Sequence, residues 1–376
     1  MRVLVSPDCF TGTLSAVEAA TAIRTGWLQL HPTDDVVLAP LSDGGPGFVA
    51  GLHEVLGGEL ISIIVSDPLS RKTPAQYLLR DKQAWIESAQ ACGLHLISLA
   101  DRDPRITTSF GVGELIADAI TRGATKIVVG LGGSGTNDCG AGMLAALGAI
   151  SDGRLDSGGA ALKKLGSLDL TPALAKVAGI ELIVASDVDN PLLGLRGASA
   201  VFGPQKGADD FAVMELEGAL VHFSKLCGRR SDGKDPAVAL GAGAAGGLGF
   251  GLLLIGATRV AGIETVLEIV NLDLEIDRAD LVITGEGRLD DQSLHGKVIA
   301  GVAKHASQLG KPCVVIAGEV RLGKRECANA GIDSAYSMTE FAGLERSLAN
   351  PTQVLTEVSA RVAQSWGRRQ GFAESD

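Results

Sequence analysis

Residues Lys126–Asp138 read KIVVGLGGSGTND, and the stretch from Ala141 to Leu147 reads AGMLAAL. An apolar run short enough for a buried strand enters a glycine-rich turn, and an apolar helical segment follows. The same succession recurs along the chain. Short apolar runs alternate with longer stretches of helical period, the pattern of strand–helix units around a mostly parallel sheet. Strands are predicted at Arg2–Ser6, Val36–Pro40, Leu60–Val65, Ala84–Glu87, Lys126–Gly130, Glu181–Ala185, Asp280–Thr284 and Cys313–Ala317. Helices are predicted at Ser15–Leu30, Thr108–Arg122, Asp210–Leu226, Ile263–Val270 and Gly296–Leu309. Ser15 followed by Glu18 fits a capping box, and Gly123, Gly310 and Lys311-Pro312 mark helix ends.

Almost every predicted strand runs into a polar turn. These are Ser6-Pro7-Asp8, Ser42-Asp43-Gly44-Gly45, Ser66-Asp67-Pro68, the turn through Gly132 to Asp138, Ser186-Asp187-Val188-Asp189-Asn190, and Thr284-Gly285-Glu286-Gly287-Arg288. In a parallel sheet such turns collect at the carboxyl edge, where α/β proteins bind ligands. Strand ends need polar turns in any case, so a single one carries no weight. Six that all bear carboxylates point to a shared site. The outer parts of the chain are alike in style, and a long Gly-rich block separates them. Two α/β domains with mostly parallel sheets are expected, with 66–279 inserted into a discontinuous domain of 1–65 plus 280–376. The polar tail after Gly367 is expected to fray.

Composition narrows the function classes. Apolar residues make up 46% of the 376 and charged residues 20%, which suits packed cores rather than disorder. The formal charge of -11, without a long Lys/Arg cluster, argues against nucleic acid as partner. Six cysteines without a C-x-x-C pair read as free thiols in a reducing compartment. The opening MRVLVSPD reaches Pro7 and Asp8 too early for a secretory h-region. Leu248–Ala257 is too short to span a bilayer, which takes about 20 residues. A cytoplasmic protein with no membrane partner is expected, and a homodimer stays open.

Three segments carry chemistry. Gly130, Gly132 and Gly135 match G-x-G-x-x-G, as do Gly241, Gly243 and Gly246, so a nicotinamide oxidoreductase has to be weighed, with Asp152 as the ribose acid. Ser134, Thr136, Asn137 and Asp138 load the first turn with polar side chains, which suits phosphate and metal better. Its backbone N–H groups at a helix N-terminus would receive the phosphate. No Walker A, H-R-D or D-F-G occurs. The segment 280–298, DLVITGEGRLDDQSLHGKV, gathers Glu286, Arg288, Asp290 and Lys297, the carboxylates and cations that phosphoryl transfer uses. In ASDVDNPL, Asp187 and Asp189 fall two apart on one side of an extended strand end, a spacing for shared metal ligation or for one ligand and one base. Both also suit turn capping ahead of Pro191. Lys206, in FGPQKG, is a candidate anion contact or a surface lysine. Zinc and serine-hydrolase motifs are absent.

At these segments the chain resembles the bacterial glycerate kinases. The likeness runs along nearly the full length, through Pro7-Asp8-x-Phe10, Leu14-Ser15-Ala16, Asp43-Gly44-Gly45, Thr107-Thr108-Ser109-x-Gly111, Gly132-Gly133-Ser134-x-Thr136-Asn137-Asp138, Asp187–Leu192, Phe202–Gly207, Gly241–Gly247 and Thr284–Asp290. The resemblance implies phosphorylation of D-glycerate by ATP with Mg2+, and an inserted middle domain. Four positions in three motifs depart from the usual family pattern. Thr11 stands where a lysine is usual, Pro46 and Phe48 replace a glutamate and a threonine, and Cys139 replaces a glycine. A kinase of another small hydroxy acid, or a catalytically weakened metabolite-binding relative, is the alternative these changes raise.

The expected site follows. Asp189, Asp187, Arg288 and Lys297 are the catalytic candidates, and Asp8, Asp43, Gly44 and Gly45 the substrate-binding ones. Gly132, Gly133, Ser134, Thr136, Asn137, Asp138 and Glu286 are expected to bind ATP. Asp187, Asp189 and Asp290 are the candidate Mg2+ ligands, in a cleft between the two domains.

Overall fold

The computed structural model of the chain describes residues 1–10, 12–42, 44–260, 267, 271–294 and 298–370, with the backbone alone for 367–370. Its strands are β1 (Arg2–Val5), β2 (Asp35–Leu38), β3 (Glu59–Ser66), β4 (Lys72–Arg80), β5 (Gln83–Glu87), β6 (Lys126–Gly130), β7 (Ile150–Ser151), β8 (Leu168–Asp169), β9 (Glu181–Ala185), β10 (Thr258–Val260), β11 (Leu281–Leu289), β12 (Cys313–Val320) and β13 (Ser334–Ser337). The fold is α/β with mostly parallel sheets, in two compact units. One comprises Met1–Asp43, Ala50–Gly57 and Ile263–Asp376; the other comprises Gly44–Val49 and Gly58–Gly262.

The first unit is built on a five-stranded parallel sheet in the order β13-β12-β11-β1-β2. Val3, Val5, Leu281, Ile283, Val314 and Ile316 are fully buried in it. Over one face lies the helix Ala16–Leu30, which buries Ala16, Ala19, Ala20, Ile23 and Trp27 at helical spacing. The expected capping box starts it: Glu18 N donates to Ser15 Oγ at 3.2 Å, and Ser15 N donates to Glu18 Oε2 at 2.9 Å. The last described element is the helix Pro351–Gln370, which continues past Gly367, while 371–376 of the tail expected to fray lie outside the described residues. Val354, Leu355, Val358 and Val362 recur on one face and are buried in the same core, so the polar tail is preceded by an anchored helix.

Two expectations for this unit are corrected. The strand predicted to stop at Thr284 runs on to Leu289, so Glu286-Gly287-Arg288 is strand rather than turn. The reason is that β12 offers parallel pairing that far, with Glu286 opposite Ala317 and Arg288 opposite Glu319. Residues 263–279, assigned above to the insert, lie in this unit, and 44–49 and 58–65, assigned to the outer domain, lie in the other. There β3 is the edge strand, paired antiparallel with β4 from Glu59 to Ser66. Most of the predicted helix Ile263–Val270, and Gly296 of the next, lie outside the described residues, where the helix Val298–Gln308 begins after the gap.

The second unit holds a six-stranded sheet in the order β10-β9-β6-β5-β4-β3. β10, β9, β6 and β5 are parallel, and β4 and β3 complete the sheet antiparallel. Ile86, Ile127, Val129 and Val184 pack against Val112, Leu115, Ile116 and Ala119 of the helix Phe110–Thr121. All six cysteines are free thiols. Among the described residues no helix is long and apolar enough to cross a membrane.

Candidate active site

β6 delivers the turn 131–140 at the carboxyl edge of the second sheet. The helix after it, Ala141–Ala146, is short, and its first N–H groups are already used. Gly140 N and Gly142 N each donate to the Asp138 carboxylate at 3.2 Å, and Ser109 adds its N–H at 2.7 Å and its hydroxyl at 2.8 Å. Asp138 is fully buried, and burial raises its pKa despite these four donors. Asp138 therefore caps the helix from inside, which removes the expected phosphate seat at the helix N-terminus. Thr136 and Asn137 are also fully buried, and Asn137 Nδ2 donates to Ser199 Oγ at 2.9 Å. The solvent side of the turn is left to Gly132, Gly133 and the edge of Ser134, which is 7% exposed.

The second glycine motif explains why Thr136–Asp138 face inward. Within the helix Ala244–Leu254, Ala245, Gly246 and Gly247 take left-handed conformations that bring the backbone onto the turn. A Cβ at Gly246, where φ is +67°, would lie 1.9 Å from Thr136 O. Only glycine allows both this conformation and this approach. The GAGAAGG stretch thus backs the first turn rather than binding a dinucleotide of its own.

On its open side the turn meets Gly44-Gly45. A Cβ on Gly132 would lie 2.5 Å from Gly45 Cα, and one on Gly130 would lie 2.6 Å from Gly44 O. Two backbones pass at van der Waals contact with no side chain between them. The structure thus joins two of the predicted motifs, although Asp43 itself lies outside the described residues. Next to Gly45, the buried carboxylate of Glu87, at the end of β5, accepts from Gly47 N at 3.0 Å and Val49 N at 3.4 Å. Desolvation pushes Glu87 up to about 7, against the pull of these donors.

β9 lies beside β6 and ends at Ala185, whose carbonyl accepts from Leu131 N at 3.0 Å. The following residues do not stay extended, because Val188 N folds back onto Ser186 Oγ at 3.2 Å. Asp187 and Asp189 accordingly sit in different surroundings rather than on one face. Asp187 turns Oδ2 into the protein, while Asp189 is exposed and takes Arg259 Nη2 at 2.7 Å. Arg259 comes from β10, the next strand in the sheet, and sequence reasoning missed it. Among the described residues no group of three or more His, Cys, Asp or Glu is arranged to hold a metal ion.

In the first unit, β1 and β11 are parallel neighbours at the point where the strand order reverses direction, the usual position of a ligand crevice. Asp8 N donates to Gly285 O at 2.8 Å, and Asp8 Oδ1 accepts from Cys9 N at 2.6 Å. Asp8 is thereby placed beside the strand that carries Glu286, which is buried. Arg288 is exposed and donates through Nε to Glu319 at 3.1 Å. Asp290 Oδ1 accepts from Gln292 N at 3.0 Å. Lys297 lies outside the described residues. A groove of about 960 Å³ in this unit, lined by Lys311, Lys324, Asp333, Tyr336 and Glu340 among others, contains none of the predicted site residues.

Residues 3–367 match the glycerate kinase family. The chain belongs to that family. It is 39% identical over 376 residues to a glycerate kinase of Halalkalibacterium halodurans, with 97% of this chain and 99% of that protein covered. It is likewise 39% identical over 373 residues to the glycerate 2-kinase of Escherichia coli (strain K12), with coverage of 96% and 97%. A crystal structure of a protein described as glycerate kinase 2 from Salmonella typhimurium LT2 superposes with a TM-score of 0.83 at 39% identity, covering 99% of both chains.

Within the glycerate kinase family, the unusual residues of this chain now have surroundings. Phe48 is 1% exposed, so its ring is packing rather than lining. Pro46 is exposed, and a Cβ on Gly133 would meet its ring at 2.9 Å. A carboxylate is still present at this turn, from Glu87. Cys139 is fully buried with φ of +58°, and Thr11 lies outside the described residues. The dinucleotide reading loses its supports, because Asp138 occupies the helix start and Asp152 is spent on Gly166 N and Ser167 N.

Proposed function

We propose that this glycerate kinase family member transfers the terminal phosphoryl group of ATP to a hydroxyl of D-glycerate with Mg2+. One observation carries the reading. Gly132, half-buried, and exposed Gly133 present bare backbone at the carboxyl edge of the sheet where β9 runs into the turn of Asp187 and Asp189, with Arg259 of β10 paired to Asp189. Backbone without side chains lets phosphate oxygens approach N–H groups closely, and phosphoryl transfer needs positioning and charge neutralisation rather than covalent help. Gly132, Gly133 and Ser134 are the residues for the nucleotide phosphates.

Mg2+ is commonly held by one or two carboxylates completed by phosphate oxygens and water, and Asp187 would supply one, the Arg259-paired Asp189 being kept for the proton. Bound there, the ion would neutralise charge on the phosphates. A hydroxyl oxygen of the acceptor forms the new bond to phosphorus as the bond to the ADP oxygen breaks. The electron pair leaves on ADP, and the hydroxyl proton passes to a carboxylate. Asp189 is the candidate acceptor, with Arg259 at 2.7 Å orienting it. Asp8, with Asp43, is assigned to the acceptor's hydroxyls. Arg288, Lys297, Glu286 and Asp290 remain candidates for nucleotide or metal contacts.

The test is ADP release with ATP, Mg2+ and D-glycerate, with the product resolved into 2- and 3-phosphoglycerate. The reading expects release that falls at least 100-fold in Asp189→Ala. Equal release from both proteins would remove the assignment.

A further inference from the structure

Lys206 closes the short 3-10 turn Pro204–Lys206 and is only 2% exposed. An ammonium is costly to bury unless it is paired or hydrogen-bonded. Among the described residues none of its ion-pair partners is a carboxylate within 4.0 Å. Nζ instead donates to Thr136 O at 2.6 Å and to Ser134 Oγ at 3.0 Å. The first bond holds the buried end of the glycine-rich turn. The second reaches the end that borders solvent, next to exposed Gly133.

A serine hydroxyl has one proton and two lone pairs. When the ammonium takes a lone pair of Ser134 Oγ, the Ser134 proton is left to donate elsewhere, and it becomes a stronger donor because its oxygen is polarised. We propose that Lys206 is a positioning residue of the phosphate site, which aims the Ser134 hydroxyl as a donor to a nucleotide phosphate oxygen. This rests on the kinase reading of the preceding subsection and assigns Lys206 no contact with the nucleotide.

The environment of Lys206 supplies a signature that a purely structural lysine would lack. Burial lowers its pKa to about 8, against the pull of the Asp138 carboxylate toward the charged form. The backbone of Arg102 packs against Gly207, the next residue in the chain. Cys92 is itself pushed up to about 12 and stays a neutral thiol. Nucleotide affinity should therefore weaken as pH rises through about 8. Stability should move the other way. The unfolded lysine keeps its proton to about 10.5, so between these two values the unfolded state binds more protons and folding gains with pH.

Calorimetric titration with Mg-ADP between pH 7 and 9 tests this on the wild type, Lys206→Met, Lys206→Arg, Ser134→Ala and the Met/Ala double variant. Each single removal should weaken binding about tenfold at pH 7 and flatten its pH dependence. The double variant should be no weaker than the worse single one, and Arg should restore part of the loss. The KM for D-glycerate should stay within twofold. Wild-type affinity and pH profile in Lys206→Met, or additive losses in the double variant, would overturn the assignment. Should Lys206→Met fail to fold, an unaltered profile in Ser134→Ala overturns it equally. A wild type that binds no nucleotide refutes the kinase reading with it, whereas binding that ignores both substitutions refutes the Lys206 assignment alone.

Discussion

Two segments that both combine glycines with carboxylates at a strand end, GLGGSGTND from Gly130 and TGEGRLD from Thr284, take opposite conformations. The first is a turn whose acidic residue is swallowed as an internal cap; the second is a strand whose charged residues stand in a sheet. Available partners decide the difference. At Gly130, β5 and β9 both end beside β6, so the chain must leave the sheet. At Thr284, β12 continues to Val320 and keeps pairing. Glycines and carboxylates therefore mark a site only where neighbouring strands have run out.

Substitutions can break this contrast, and the largest effect is expected at Asp138. Asp138→Ala orphans four donors, Ser109 N, Ser109 Oγ, Gly140 N and Gly142 N. A loss of about 3 kcal/mol or more in urea unfolding is expected, and a loss under 1 kcal/mol would show that the carboxylate serves a ligand instead. Next comes Gly246→Ala, where left-handed backbone and a clash with Thr136 O combine. It should cost about 2 kcal/mol and weaken nucleotide binding through the displaced turn.

Glu87 gives a pH effect of the second unit alone. Its folded pKa is raised from 4.5 to about 7, so the folded state holds the extra proton in that window. Its contribution to stability is full below 4.5 and lost as pH rises through 7. Thermal unfolding from pH 5 to 8 should show wild type losing ground to Glu87→Gln, with parallel curves as the contrary result. The smallest effect is expected at Arg288, whose exposed pair with Glu319 should contribute less than about 1 kcal/mol. If Arg288→Ala keeps its stability but loses activity at least 100-fold, the strand segment is catalytic as its composition suggested.

Much of the architecture was legible in the residues. Alternation of apolar runs and helical segments placed β1, β2, β6, β9 and the N-terminus of β12, and Ser15 with Glu18 announced its helix. β4 escaped because Pro74 and the polar start of Lys72–Arg80 hide a strand that only its antiparallel partners define. The site was less legible. Gly130 and Gly132 pass against Gly44 and Gly45, a close approach of backbone that needs glycine and that composition alone does not pair. Thr136, Asn137 and Asp138 were misread because a polar side chain looks the same in sequence whether it faces a ligand or a buried donor. Arg259 left no signal: a lone arginine in a three-residue strand gains meaning only from Asp189, 70 positions away, across the edge of the sheet.

The most direct test of the phosphate assignment is hydrogen–deuterium exchange with and without Mg-ADP. The account predicts that protection gained on binding is strongest at Gly132–Ser134, with a weaker gain at Asp187–Asp189. Protection confined to Thr284–Asp290, with the glycine-rich turn unchanged, would contradict it.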